Sequence, residues 1–113
     1  MIDPGFDVTV DQEDGAAVVR VAGEVDLYTG PLLWDRLSAV IADGWRRVVV
    51  DLEAMRFIDS TGLSVLVMAM RRLEEVGGAL VLRSPCRMAS KLLQLTGLAQ
   101  LLEIEGGDAA IAV

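Results

Sequence analysis

The run Arg47-Val48-Val49-Val50-Asp51-Leu52, the connector Glu53–Ile58 and the stretch Asp59-Ser60-Thr61-Gly62-Leu63-Ser64-Val65-Leu66-Val67-Met68-Ala69-Met70 decide the fold of this chain. Three consecutive β-branched valines between polar residues suit a short strand, Arg47–Leu52, buried on both faces as in a parallel sheet. Glu53–Ile58, interrupted by Glu53 and Arg56, reads as a loop leading to Asp59. From Ser60 or Thr61 onward, Leu63, Leu66, Val67, Met70 and Leu73 recur at helical spacing. A helix therefore runs to Val76, and Gly77-Gly78 stops it. A buried strand feeding an amphipathic helix is the first part of a β-α-β unit, and Ala79–Ser84 supplies its second strand.

Towards the N-terminus, Phe6–Asp11 and Ala16–Gly23 are valine-rich and flank the turn signal Glu13-Asp14-Gly15, which predicts a hairpin. A helix over Gly30–Asp43 follows: Thr29 can cap it, Pro31 suits its first turn, Leu33, Leu37, Val40 and Ile41 share a face, and Gly44 ends it. On the other side, Pro85 precedes a third helix through about Thr96, with Met88, Leu92 and Leu95 on one face and Gly97 beyond its end. Leu101–Glu105 reads as a last strand. Asp108–Val113 can start a helix but is too short to stand alone. A hairpin followed by helix and strand in alternation predicts one α/β domain over residues 1–113, its mixed, mainly parallel sheet covered by helices through right-handed crossovers. The pattern does not fix the strand order.

Composition narrows the function. At 113 residues, 53% apolar and 24% charged, the chain has the makeup of an ordinary folded domain. A domain of that size buries about two thirds of the surface its unfolded form exposes. The longest apolar run, Val65–Met70, is far too short to cross a bilayer, and Met1–Asp7, with acidic Asp3 and Asp7, lacks the basic start and apolar centre of a signal peptide. A cytoplasmic protein without membrane insertion is the expectation. A net charge of −7 opposes direct binding to nucleic acid phosphates. With one cysteine, Cys86, and no histidine, the chain offers no internal disulfide, no Cys/His zinc site and no Ser-His-Asp triad. It also lacks a P-loop and a dinucleotide-binding glycine pattern, so neither enzymatic activity nor a cofactor or metal is expected. Cys86, Trp34 and Trp45 read as packing residues, and Arg46-Arg47 and Arg71-Arg72 as solvated faces.

The polar cluster Asp59-Ser60-Thr61-Gly62 sits at a strand-to-helix junction. The first turn of a helix has free N–H groups and the positive end of the dipole, so a phosphate on Ser60 can be accommodated there. The plainer role is a helix cap by Asp59, Ser60 or Thr61. Gly23-Glu24-Val25-Asp26-Leu27-Tyr28-Thr29 forms a second cluster between a strand and a helix. If its strand runs parallel to Arg47–Leu52, both loops lie at one carboxyl edge, where open α/β sheets engage ligands and partners.

In order along the chain, Gly23-Glu24-Val25-Asp26 with Tyr28-Thr29, Val48–Leu52, Phe57-Ile58-Asp59-Ser60-Thr61-Gly62-Leu63 and Leu95-Thr96-Gly97-Leu98 resemble the STAS domain, most closely the stand-alone bacterial anti-sigma factor antagonists. The resemblance implies that Ser60 is the phosphoacceptor. It also implies that Glu24, Asp26, Tyr28, Thr29, Asp59, Ser60, Thr61, Gly62 and Ser64 face the partner. In such relatives the partner is an anti-sigma factor serine kinase, bound while the serine is unmodified and released on phosphorylation, and a serine phosphatase restores the unmodified form. Transcription is then regulated without contact to DNA. Ser64 departs from the family's usual pattern, which often has glycine there. The alternative implied by the same resemblance is a regulatory subunit docked on a membrane transporter.

Overall fold

A computed structural model describes residues 5–107. Val48, Val49 and Val50 occupy the middle of the sheet, with Ala17, Val18 and Val19 beside them on one side and Leu80, Val81 and Leu82 on the other. The strands are β1 (Phe6–Glu13), β2 (Ala16–Val25), β3 (Arg47–Ile58), β4 (Ala79–Arg83) and β5 (Glu103–Glu105), and among the described residues their order in the sheet follows the chain, β1-β2-β3-β4-β5. β1 and β2 are the expected antiparallel hairpin, and the pairings β2–β3, β3–β4 and β4–β5 are parallel. The mixed, mainly parallel α/β sheet expected from the sequence is what the chain forms.

The buried side chains of helices α1 (Gly30–Ala42), α2 (Ser60–Glu75) and α3 (Arg87–Leu95) form one core with Val19, Val21, Val48, Val50, Leu52, Leu80 and Leu82. Alternate strand residues Ala16, Val18, Val49 and Val81 make a separate small cluster that contains no helical residue. Around that second cluster Arg20 pairs with Asp11, Glu13 and Asp51, and Arg83 with Glu13 and Glu105. Trp34 and Trp45 are half-buried against the main core, as expected. Arg72 is not merely solvated: its guanidinium lies 5.4 Å from the centre of the Trp34 ring, joining α2 to α1.

Expectations for three further segments are corrected. Glu53–Ile58 is not a loop but the second half of β3, paired through Ala22↔Ala54, Gly23↔Met55, Glu24↔Phe57 and Val25↔Ile58. Two register irregularities, between Arg20 and Ala22 and between Gly23 and Glu24, break strict alternation. The buried positions of β3 therefore step from Leu52 to Met55 to Ile58, a spacing that does not read as a strand. In α2, Val65 and Ala69 join Leu63, Leu66 and Leu73 in the core, while Val67 and Met70 are only half-buried. In α3 the inward face is Ala89, Ser90 and Leu93, with Met88 and Leu95 exposed. Small side chains at positions 89 and 90 let this short helix seat closely, and Leu95, at 75% exposure, is left outside.

The helix is preceded by Cys86 at its cap position, half-buried against the core, in keeping with a packing role. The segment after α3 makes a 3-10 turn, Leu98–Gln100, before β5, so the final strand is shorter than the Leu101–Glu105 expected. The helix anticipated at Asp108–Val113 lies outside the described residues.

Candidate functional site

β2 and β3 run parallel and end together at the pair Val25↔Ile58. The Asp59 N–H then donates to the Val25 carbonyl at 3.2 Å, so the two following loops leave the same carboxyl edge of the sheet. They also touch. A Cβ placed on Gly30, at the start of α1, would lie 3.0 Å from Thr61 Cγ2 at the start of α2.

The first loop is held by its own polar groups. Asp26 Oδ1 accepts from the backbone N–H groups of Tyr28 (2.9 Å) and Thr29 (3.0 Å). The Thr29 hydroxyl donates to the Glu24 carbonyl at 2.7 Å and accepts from the Asp26 N–H at 2.9 Å. Thr29 thus occupies the cap position of α1 without capping it through its side chain; it closes the preceding turn instead. At 4% exposure it lies beneath the surface. Of the residues expected to face a partner, Thr29 is thus buried, its hydroxyl turned to the loop's own backbone. What the loop presents outward is Glu24, Tyr28 at 81% exposure and Leu27 at 64%. Leu27 went unremarked in the sequence, where the only signal was an apolar residue inside a turn already closed by Asp26 and Thr29.

The backbone N–H groups of Thr29 and then Tyr28 hold the Asp26 carboxyl below the usual carboxylate range. A lowered folded-state pKa means that ionised Asp26 stabilises the loop at pH values above the unfolded carboxyl's pKa, and that this is lost as pH falls through the folded value. In an acid NMR titration the Tyr28 and Thr29 amides are expected to move together with the Asp26 carboxyl, below the range of ordinary aspartates. Amides that stay still while Asp26 protonates would contradict this account. Asp26→Asn should abolish the transition.

In the second loop Asp59 is extended and caps α2, its Oδ1 accepting from Thr61 N–H (2.9 Å) and Gly62 N–H (3.1 Å). Its carbonyl accepts from Leu63 N–H at 3.0 Å. Two first-turn donors that the sequence left open for a phosphate are therefore already taken by a neighbouring carboxylate. Gly62 is buried, and a Cβ there would come within 2.5 Å of Ile58 Cγ1 and 2.8 Å of Val25 Cγ1. The glycine lets the helix start sit on the ends of β2 and β3, so Gly62, expected to face a partner, is buried against Ile58 and Val25.

Three hydroxyls follow Asp59 and differ in circumstance. Thr61 is half-buried against Gly30. Ser64 is exposed but donates to the Ser60 carbonyl at 2.9 Å. Ser60 is exposed, and its hydroxyl makes no hydrogen bond to the described residues. Among the described residues no three acidic or cysteine side chains gather as a metal site, and no helix is long and apolar enough to cross a membrane.

A mainly parallel sheet with its helices on one face, two touching loops at one edge and a free serine at the start of the central helix define a STAS-type α/β domain. The chain belongs to the STAS family: the family described as "Mlab, STAS domain" matches residues 8–103. It is 34% identical over 89 residues to the anti-sigma-B factor antagonist of Staphylococcus aureus (strain NCTC 8325 / PS 47), covering 79% of this chain and 82% of that one. The crystal structure of an anti-sigma factor antagonist from Mycobacterium paratuberculosis superposes with a TM-score of 0.84 at 31% identity, over 100% of this chain and 98% of the other. The Bacillus cell fate determinant SpoIIAA in its phosphorylated form gives 0.69 at 25% identity, over 93% and 96% of the two chains.

Proposed function

We propose that this domain is an anti-sigma factor antagonist that binds an anti-sigma factor serine kinase while Ser60 is unmodified and is released when that kinase phosphorylates Ser60. The observation that carries the reading is the Ser60 hydroxyl itself, exposed and without a hydrogen bond among the described residues, one residue before the contact between the two loops, while Thr61 is half-buried and Ser64 is engaged. The similarity to anti-sigma factor antagonists, among them SpoIIAA, which has been solved in a phosphorylated form, supports it. The partner faces Glu24, Leu27, Tyr28, Ser60 and Ser64, with Asp26, Thr29, Asp59, Thr61 and Gly62 holding the two loops in shape. A serine phosphatase returns the protein to its binding form. The domain acts in the cytoplasm, has no catalytic activity of its own and regulates transcription through protein contacts alone.

Incubation with the cognate kinase and ATP, followed by mass spectrometry, tests the assignment. Ser60→Ala is expected to take up no phosphate while keeping partner affinity within a few-fold. Because Asp59 supplies the cap, the variant should lose no more than about 0.5 kcal/mol of stability, as for an ordinary surface change. Undiminished phosphate uptake in Ser60→Ala would move the acceptor to Thr61 or Ser64. Recovery of a membrane permease instead of a kinase as the specific partner would replace the reading with that of a transporter subunit.

A further inference from the structure

Beside Ser60, between α2 and the segment that follows α3, lies an open groove of about 390 Å³. Its apolar wall is made by Leu63, Val67, Met68 and Leu98. Ser64 and Thr96 also line it, but their hydroxyls are occupied, Ser64 by the Ser60 carbonyl at 2.9 Å and Thr96 by the Leu92 carbonyl at 2.9 Å. No charged side chain lines the groove. Ser60 stands on its lip.

We infer that this groove receives an uncharged aliphatic or aromatic side chain of the anti-sigma factor kinase, an inference that rests on the function proposed above. The lining offers apolar surface and almost no free polar group, so a polar or charged occupant would lose its hydration without replacement. A second copy of this chain is disfavoured, since each copy carries a net charge of −7 and their approach is repulsive. Partner binding and modification then share one place. A phosphate on Ser60 puts roughly −1.5 to −2 charges at the mouth of an apolar pocket, where a seated apolar group would strip its water.

The test measures calorimetric binding of the purified anti-sigma factor kinase from the phosphotransfer experiment to wild type, Met68→Glu and Met68→Leu. Met68 is 44% exposed on α2, and both replacements are good helix formers, so circular dichroism should be unchanged. The expected result is a loss of about thirtyfold for Met68→Glu, the scale of an interface hot spot, and no more than about threefold for Met68→Leu. On the wild-type protein, methyl resonances of Val67 and Leu98 should shift when the kinase is added. If wild type binds and is released on phosphorylation, but Met68→Glu binds equally well and these methyls do not move, the groove is overturned and the switch stands. If wild type binds no anti-sigma factor kinase, both fall.

Discussion

Phosphorylation of Ser60 is expected to weaken partner binding by at least about a hundredfold without refolding the domain, a change equivalent to about 2.7 kcal/mol. The modification adds roughly −1.5 to −2 charges. It does so where the charge is poorly received by a bound partner. Asp59 already satisfies the Thr61 and Gly62 N–H groups, and Asp26 the Tyr28 and Thr29 N–H groups, so the phosphate enters beside carboxylates and not into a vacant anion site. Nothing in the core has to move to make room, because Ser60 is exposed. The check pairs calorimetry on the phosphoprotein with a two-dimensional NMR spectrum. Amide shifts should gather in residues 24–30 and 59–68. Shifts spread through β1, β4 and β5, or an unchanged affinity, would refute this mechanism.

Gly23→Ala should be the most damaging single-methyl change near the site. Gly23 has φ of +89°, in the region that side chains with a Cβ avoid, and its ideal Cβ would fall 1.9 Å from the Gly5 carbonyl oxygen. That oxygen accepts from Glu24 N–H at 2.8 Å, tying the start of β1 to the register irregularity that brings β2 into step with Ile58. Left-handed strain of about 1–2 kcal/mol and a lost hydrogen bond of about 1 kcal/mol add to the displaced backbone, for a total of about 3 kcal/mol. Differential scanning calorimetry should show the melting temperature falling by at least about 10 °C. A fall of less than about 2 °C would mean that the β1–β2 contact yields freely.

Gly23 also illustrates what a sequence can and cannot disclose. The glycine, the acidic residue three positions on and the hydroxyl at Thr29 mark a loop, and the valine runs and glycine stops mark the elements around it. A parallel pairing of β2 and β3, only a condition in the sequence reading, is what the fold has, and it brings the two loops to one edge. Glu53–Ile58 resisted because the irregularities opposite it turn a two-residue period into steps of three. The inward face of α3 resisted because close seating selects Ala89 and Ser90 over the larger Met88 and Leu95, a choice made by the space above the sheet. Within the site, the sequence could not say which hydroxyls are engaged and which of the others is exposed. That depends on Ser64 reaching back one helical turn to the Ser60 carbonyl and on Thr29 turning inward to Glu24.

The hold of Asp59 on the first amides of α2 bears on how long a signal lasts. On the proposed function, a phosphoryl group on Ser60 would find those amides already bonded to Asp59 and would stay hydrated at the surface, where a phosphatase can reach it and where water alone cleaves a phosphate monoester far too slowly to matter. The domain would not shelter such a mark. In the proposed circuit, memory would reside in the enzymes that write and erase the mark, and the half-life of the signal would follow their concentrations instead of the stability of the fold.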